Sequence, residues 1–375
     1  MKVVFLMQDT RALYGAEQAT IQLVAGLAAA GVDVRAILLR ETRLGAGRSS
    51  LAEVLKRMLP IVEVSVAGRF SRAAIRQIRE YMERERADVL HSTGYKADWH
   101  AGLASRWGRL FPVVSTVHGW LFRWQPKECF FQALNVRALR RFSRVVVLSR
   151  FYERYLRRHG LGPLQLAQIP TGVRAGALAA RAEAEALWVA PDAPFTFGML
   201  GRLSFEKNHG LLVRAAARLA RDMDNSPQAW RILIAGEGPL GTALRRQIAR
   251  QGLADRVVVA GRMEARDFFR QTHVLVQCSR VENQPMSVME AMAWLRPTIA
   301  TRAGGLPELI RDGENGTLVP RRSARALAAA MQAYLIAPEH ARRIGQRARD
   351  ILEQNYSYDQ MVRDHIGLYA AESRR

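Results

Sequence analysis

The sequence predicts an α/β protein built from two doubly wound parallel-sheet domains, and three observations carry that expectation. Short runs rich in β-branched residues alternate with longer helical segments from end to end. These runs lack the polar alternation of a half-exposed sheet, and they fall into two series separated by an alanine-rich stretch. Strands buried on both faces read as continuous apolar runs, and intervening helices supply the crossovers that parallel pairing requires. At 375 residues and 49% hydrophobic composition, the chain is long enough for two cores.

The first series opens with a strand at 3–7, then a helix at 16–30 and a strand at 33–39. It continues with a strand at 61–66, a helix at 73–86, and strands at 89–92, 113–117 and 145–149. The second series alternates strictly: strand 196–200, helix 210–221, strand 231–235, helix 240–251, strand 257–260, helix 266–271, strand 274–278, helix 289–294, strand 298–301. Residues 171–194, which include Pro191 and Pro194, read as the connection. The domains are therefore expected at 1–175 and 190–355, with a helical tail at 356–375 packing back on the first.

Two cysteines, Cys129 and Cys278, cannot form a disulfide framework, and the second lies in an expected buried strand. The opening apolar run turns polar at Gln8-Asp9, too soon for a signal-peptide core, and no apolar stretch reaches the ~18 residues of a membrane span. A cytoplasmic protein is expected. Net charge is +22, with pI near 11.1. Residues 1–165 hold 27 Lys and Arg against 13 Asp and Glu, a net of +14, which leaves +8 for the rest. Within that half, Arg137-Ala-Leu-Arg-Arg-Phe-Ser-Arg144 and Arg150-Phe-Tyr-Glu-Arg-Tyr-Leu-Arg-Arg158 interleave arginines with apolar residues at helical spacing. They read either as basic amphipathic helices for an anionic membrane surface or as solvated helix faces. No zinc-finger spacing or RNA-recognition aromatic motif accompanies the charge, so nucleic acid is an unlikely partner on sequence grounds.

Ligands of doubly wound sheets bind outside the carboxyl ends of the strands. The strand-to-helix loops, and the crevice between two such domains, are where chemistry is expected. In Val281-Glu-Asn-Gln-Pro-Met-Ser-Val-Met-Glu290, Glu282 hangs from a strand-end loop and Glu290 is expected in the first helical turn. The backbone amides between them are expected to face outward, suited to phosphate oxygens, while the carboxylates offer acceptors to vicinal hydroxyls. The same residues also read as a capping box, Ser287 with Glu290, beside an ordinary loop glutamate. Gly201-Arg202-Leu-Ser-Phe-Glu206-Lys207 places two cations across one turn, either flanking a diphosphate or simply exposed. Gly236-Glu-Gly-Pro239 reads as a turn without chemistry, and Tyr14-Gly15-Ala16-Glu17 is a glycine-led helix start.

Taken together, these motifs resemble the large family-4 group of retaining nucleotide-sugar glycosyltransferases, whose GT-B fold sets two Rossmann-like domains about a central cleft. Their order is Gly-Arg with Glu-Lys, then Gly-Glu-Gly-Pro, then the two spaced glutamates. Gly304-Gly-Leu-Pro-Glu308 and Asp312-Gly-Glu-Asn-Gly316 follow. The match is specific from Gly201 to Pro320. It holds only in outline for Gly15, His118-Gly119, Ser149 and Ile169-Pro-Thr-Gly-Val173. The resemblance implies that Arg202 and Lys207 hold the donor diphosphate and that Glu282 faces the donor sugar. It implies further that the amides of Met286, Ser287 and Val288 receive a phosphate and that Glu290 grips the ribose. Gly15 would admit the first helix close to the diphosphate, and His118 would lie beside the transferred sugar and the acceptor.

The implied partners are a nucleoside-diphosphate sugar, of UDP or GDP type, and a glycan or lipid-linked acceptor. No cofactor and no metal is expected, since no Asp-x-Asp or histidine-rich cluster stands in the strand-end loops. Three departures stand out. Tyr14-Gly15 replaces a frequent glycine pair, Thr171 replaces the usual asparagine, and Asn283-Gln284-Pro285 replaces a glycine-rich segment. A nucleotide-sugar epimerase or hydrolase of the same fold, or a non-catalytic polyanion-binding protein, are the alternatives.

Overall fold

In the computed structural model, two wholly parallel sheets organise the chain. The structure describes residues 1–10, 13–42, 49–68, 70–120, 126–188, 194–223 and 229–374. Part of the expected connection, 189–193 with Pro191, lies outside them. By contact the chain divides into one unit of Met1–Gly172 with Tyr358–Arg375, and a second of Val173–Ser357.

Among the described residues, the first unit has seven strands: β1 (Lys2–Gln8), β2 (Asp33–Glu41), β3 (Ile61–Val66), β4 (Val89–Thr93), β5 (Val113–Val117), β6 (Arg144–Val147) and β7 (Leu166–Gln168). Their order is β3-β2-β1-β4-β5-β6-β7. The second unit has six: β8 (Phe195–Leu200), β9 (Trp230–Ala235), β10 (Val257–Gly261), β11 (Val274–Gln277), β12 (Thr298–Thr301) and β13 (Gly316–Val319), in the order β10-β9-β8-β11-β12-β13. In each sheet the strand order reverses beside its first strand, between β1 and β4 and between β8 and β11. At such a reversal the loops leaving adjacent strands diverge to opposite faces, and a crevice opens between them.

The unbroken apolar runs have their expected consequence. Val4 and Leu6 join a core on one face of the first sheet, with Ile37, Leu39 and Leu90, while Val3, Phe5 and Met7 join the core on the other, with Ala36, Leu38 and Val89. Helix entries are marked by serine caps. Ser49, Ser71, Ser149 and Ser323 each accept from the amide three residues on, satisfying a donor the helix cannot. The helix Tyr358–Glu372 packs on the helix Gly15–Ala29, where a side chain at Gly26 would meet Val362 at 2.4 Å. Tyr358 seals the contact by donating its hydroxyl to the Gln22 carbonyl at 2.8 Å.

Three expectations require correction. The helix expected at 289–294 is Met286–Ala293, so Glu290 lies in its second turn. Pro285 is its N-cap, with no side chain capping, so the Ser287 capping box does not form. The run Arg137–Arg144 is not one helix, since the helix Pro126–Leu139 ends inside it and Arg144 already belongs to β6.

Candidate active site

The loops at the carboxyl ends of β8 and β11 converge in the second unit. Gly201 leaves β8 at φ +150°, and the turn 236–239 presses on that exit. A Cβ at Gly236 would stand 2.0 Å from the Gly201 carbonyl, and one at Gly238 2.5 Å from that of Leu203. The glycines of the Gly-Glu-Gly-Pro turn let it clamp the Arg202 loop. Asn208, left-handed at φ 57°, donates its amide to the Cys278 carbonyl at 3.2 Å. The Arg280 backbone amide donates to the Glu206 carbonyl at 2.8 Å, so one side-chain tie and one backbone tie join the loops.

Lys207 and Glu282 meet there. Oε1 of Glu282 accepts from Lys207 Nζ at 2.5 Å, from Ser279 Oγ at 2.7 Å and from Gln277 Nε2 at 2.9 Å. The pair is largely shielded, with 19% and 13% side-chain exposure, which strengthens it beyond a surface ion pair. The backbone of Glu282 is equally constrained. Its carbonyl accepts from the Gly305 amide at 3.0 Å, and a Cβ at Gly304, φ +56°, would fall 1.8 Å from that carbonyl. Arg202 extends from the same loop as Lys207 with its side chain exposed.

Glu290 is partly buried, and desolvation pushes its carboxyl up to about 7. At the start of its helix the Val288 amide donates to the Pro285 carbonyl at 3.1 Å, so that amide is not open to a phosphate as expected. The amides of Met286 and Ser287 precede it in the first turn, where an α-helix leaves its donors without internal acceptors.

Sequence reasoning missed Gln277 and Ser279, the two uncharged donors that fix Glu282. The signal was there: a glutamine ending the apolar run Val274-Leu-Val-Gln277 is fully buried, and a buried amide needs a partner.

Gly15 and His118 belong to the first unit. His118 lines a cavity of about 260 Å³ at the unit's own strand reversal, whose walls also include Gln8 and Thr93 at the ends of β1 and β4, Glu17 and Tyr95 beyond them, and Trp120 after β5. Gly15 begins the helix that contributes Glu17 and Thr20. Glu17 turns back to accept from the Tyr14 amide at 3.1 Å and the Thr10 hydroxyl at 3.0 Å, which occupies one amide at that helix start. His118 is half-buried with Nε2 3.4 Å from Thr20 Oγ1, and burial, helped by the nearby His365, lowers its pKa to about 4. A buried network stands behind the wall. Asp98 accepts from Ser92 at 2.6 Å, Ser115 at 2.8 Å and Asn135 at 2.7 Å, and Asn135 accepts from the Trp120 indole at 3.1 Å. The indole is thereby fixed as an aromatic face beside the cavity, suited to stacking against a sugar ring.

Residues 14–176 match the family described as Glycosyltransferase Family 4, and residues 181–351 match Glycosyl transferases group 1. Among solved structures, the fold resembles Anabaena HepE, crystallised in complex with UDP and glucose, with a TM-score of 0.81, 21% identity and coverage of 99% of this chain and 100% of that one. It also resembles a sucrose-phosphate synthase from Thermosynechococcus elongatus, with a TM-score of 0.81, 23% identity and 99% coverage of both chains. The structures show the fold, GT-B, and the two family matches give the class, a glycosyltransferase.

Within that class the chain belongs to the family-4 type. Curated relatives include an alpha-D-kanosaminyltransferase of Streptomyces kanamyceticus, 30% identical over 195 residues, covering 51% of this chain and 49% of the relative. A putative colanic acid biosynthesis glycosyltransferase of Escherichia coli is 28% identical over 192 residues, covering 48% and 46%. The chain thus spans about half the length of the curated relatives it matches.

Proposed function

We propose that the protein transfers a sugar from a nucleoside-diphosphate sugar to a hydroxyl of a glycan or lipid-linked acceptor, with retention and without a metal, in the assembly of a bacterial envelope polysaccharide. The observation that carries this reading is the Lys207–Glu282 pair at the strand reversal of the second unit, a cation and a carboxylate held ready in one loop cluster. Transfer breaks the bond between the anomeric carbon and a diphosphate oxygen, so positive charge develops on the sugar and negative charge on the departing nucleotide. Lys207 and Arg202 neutralise the leaving group, with the first amides of the helix Met286–Ala293 adding donors. Glu282 presents its carboxylate to the sugar hydroxyls, and Glu290 accepts from the ribose diol. His118, neutral at physiological pH, contacts the transferred sugar or the acceptor, and the Trp120 cavity receives the acceptor ring. HepE, crystallised with UDP and glucose, supports a UDP-type donor.

The test joins binding to chemistry. Thermal unfolding of the purified protein should be raised by one of the uridine-, guanosine- or adenosine-diphosphate sugars, since a ligand that binds only the folded state stabilises it. Lys207→Ala should then slow turnover by about 10²–10³, or roughly 3–4 kcal/mol at the transition state. Undiminished turnover at saturating donor in that variant refutes the role of Lys207. Release of free sugar at the same rate with and without acceptors would make the protein a hydrolase instead.

A further inference from the structure

His118 stands on a wall shared by two cavities of the first unit. One is the cavity of about 260 Å³ described above. The other, about 20 Å³, lies behind it and is lined by His118, Thr20, Thr171 and, from the carboxy-terminal helix, Met361 and His365. That volume accommodates a single water.

Hydrogen-bond direction assigns the protons. Thr20 donates its hydroxyl to the Ala16 carbonyl at 2.9 Å, so toward His118 Nε2 it can only accept, and the His118 proton sits on Nε2. His365 Nδ1 lies 2.8 Å from the Met361 carbonyl, which accepts only, so His365 carries its proton on Nδ1. Its Nε2 is then a bare acceptor, in a side chain 3% exposed, with no hydrogen-bond partner among the described residues. The neighbouring His91 offers it nothing, because both His91 nitrogens are engaged, by Tyr369 and by Thr116. A buried acceptor left unmet is unfavourable enough to demand a donor.

We propose that His365 is a positioning residue for His118, acting through one water in the small cavity. The water donates to His365 Nε2 and accepts from the His118 Nε2–H, which also faces Thr20 Oγ1 at 3.4 Å. This fixes the His118 proton on Nε2. The inference rests on the proposed transfer reaction for the role of His118, but its geometry does not. The carboxy-terminal helix thereby becomes part of the site rather than a brace behind it.

The experiment uses the full chain with ¹⁵N-labelled histidine, comparing wild type, His365→Phe, which removes the acceptor, and His365→Gln, which keeps one. Wild-type spectra should show His118 protonated at Nε2 and His365 at Nδ1; the opposite tautomer at either site overturns the proposal without any variant. His365→Phe should mix the His118 tautomers and lower kcat about tenfold with donor KM unchanged. His365→Gln should restore both, and His365→Phe should have no further effect in a His118→Ala background. An unchanged tautomer in His365→Phe, or an equal loss in the His118→Ala background, would reduce His365 to packing. Should the wild type transfer no sugar from any donor, the functional reading fails, while the tautomer spectra still decide the relay.

Discussion

At the scale of single residues, the site is organised around one oxygen. Oε1 of Glu282 receives Lys207, Ser279 and Gln277 together, so the ammonium that we propose meets the donor diphosphate is already held in place. Hydrogen bonds to charged groups contribute about 1.5–3 kcal/mol, so Gln277→Leu should lower kcat/KM for the donor by roughly tenfold or more. A variant that loses thermal stability but keeps donor kinetics would show Gln277 to be packing alone. Glu290 has its own signature. Its pKa, about 7 in the folded chain, exceeds the ordinary glutamate value of 4.5, so between those pH values the folded state holds a proton that the unfolded state has released. Its contribution to stability is therefore complete below about pH 4.5 and is lost as pH rises through 7; Glu290→Gln should flatten that slope. A ribose diol donates to the ionised form, so donor binding near pH 6.5 should expel a fraction of a proton, absent in Glu290→Gln. Calorimetric titrations in buffers of different ionisation enthalpy read that proton, and identical enthalpies across buffers would remove Glu290 from the donor site.

At the scale of elements, what was legible followed from burial on both faces. Val113–Val117 and Thr298–Thr301 are buried along their whole length, and their limits, like those of the edge strand Ile61–Val66, agree with the sequence reading. The edge strands β7 and β13, three and four residues long, were not anticipated because an edge needs little apolar length to pair. The start of the helix Met286–Ala293 was misplaced because Pro285 fixes its entry by backbone shape, whereas the reading weighed the serine and glutamate that follow. The glycines were the readable part of the site, and they differ in kind. Gly304 and Gly252 share positive φ, +56° and +65°, but a Cβ at Gly304 collides with the Glu282 carbonyl at 1.8 Å, whereas one at Gly252 meets nothing within 4 Å. Gly252→Ala should therefore cost about 1–2 kcal/mol of left-handed strain and leave activity intact. Gly304→Ala must also displace the Glu282 backbone and should abolish donor stabilisation in thermal unfolding, and wild-type donor response in that variant would refute the coupling.

At the scale of the whole molecule, the net charge of +22 is the property that the folds and sites do not use up, and its larger share lies in the first half of the chain. The helix Arg150–Arg158 explains how its amphipathic pattern arose without a membrane: Tyr152 and Leu156 are buried in the core of the first unit, while Arg154, Arg157 and Arg158 face outward. An apolar face spent on the core cannot insert among lipid tails. If this surface meets a membrane, attraction is electrostatic alone, near 1 kcal/mol per basic residue at an anionic surface and confined to about a Debye length. The expected behaviour is specific. The protein should float with vesicles containing anionic lipid at low ionic strength, release as salt approaches 1 M, and ignore neutral vesicles. Replacing Arg154, Arg157 and Arg158 with glutamate reverses three charges on one exposed face, so flotation should fall sharply while donor binding, which we propose for the second unit, stays unchanged. Binding to neutral vesicles, or flotation that survives high salt, would mean that apolar surface elsewhere carries the attachment and that the arginines of this helix serve only to keep its outer face solvated.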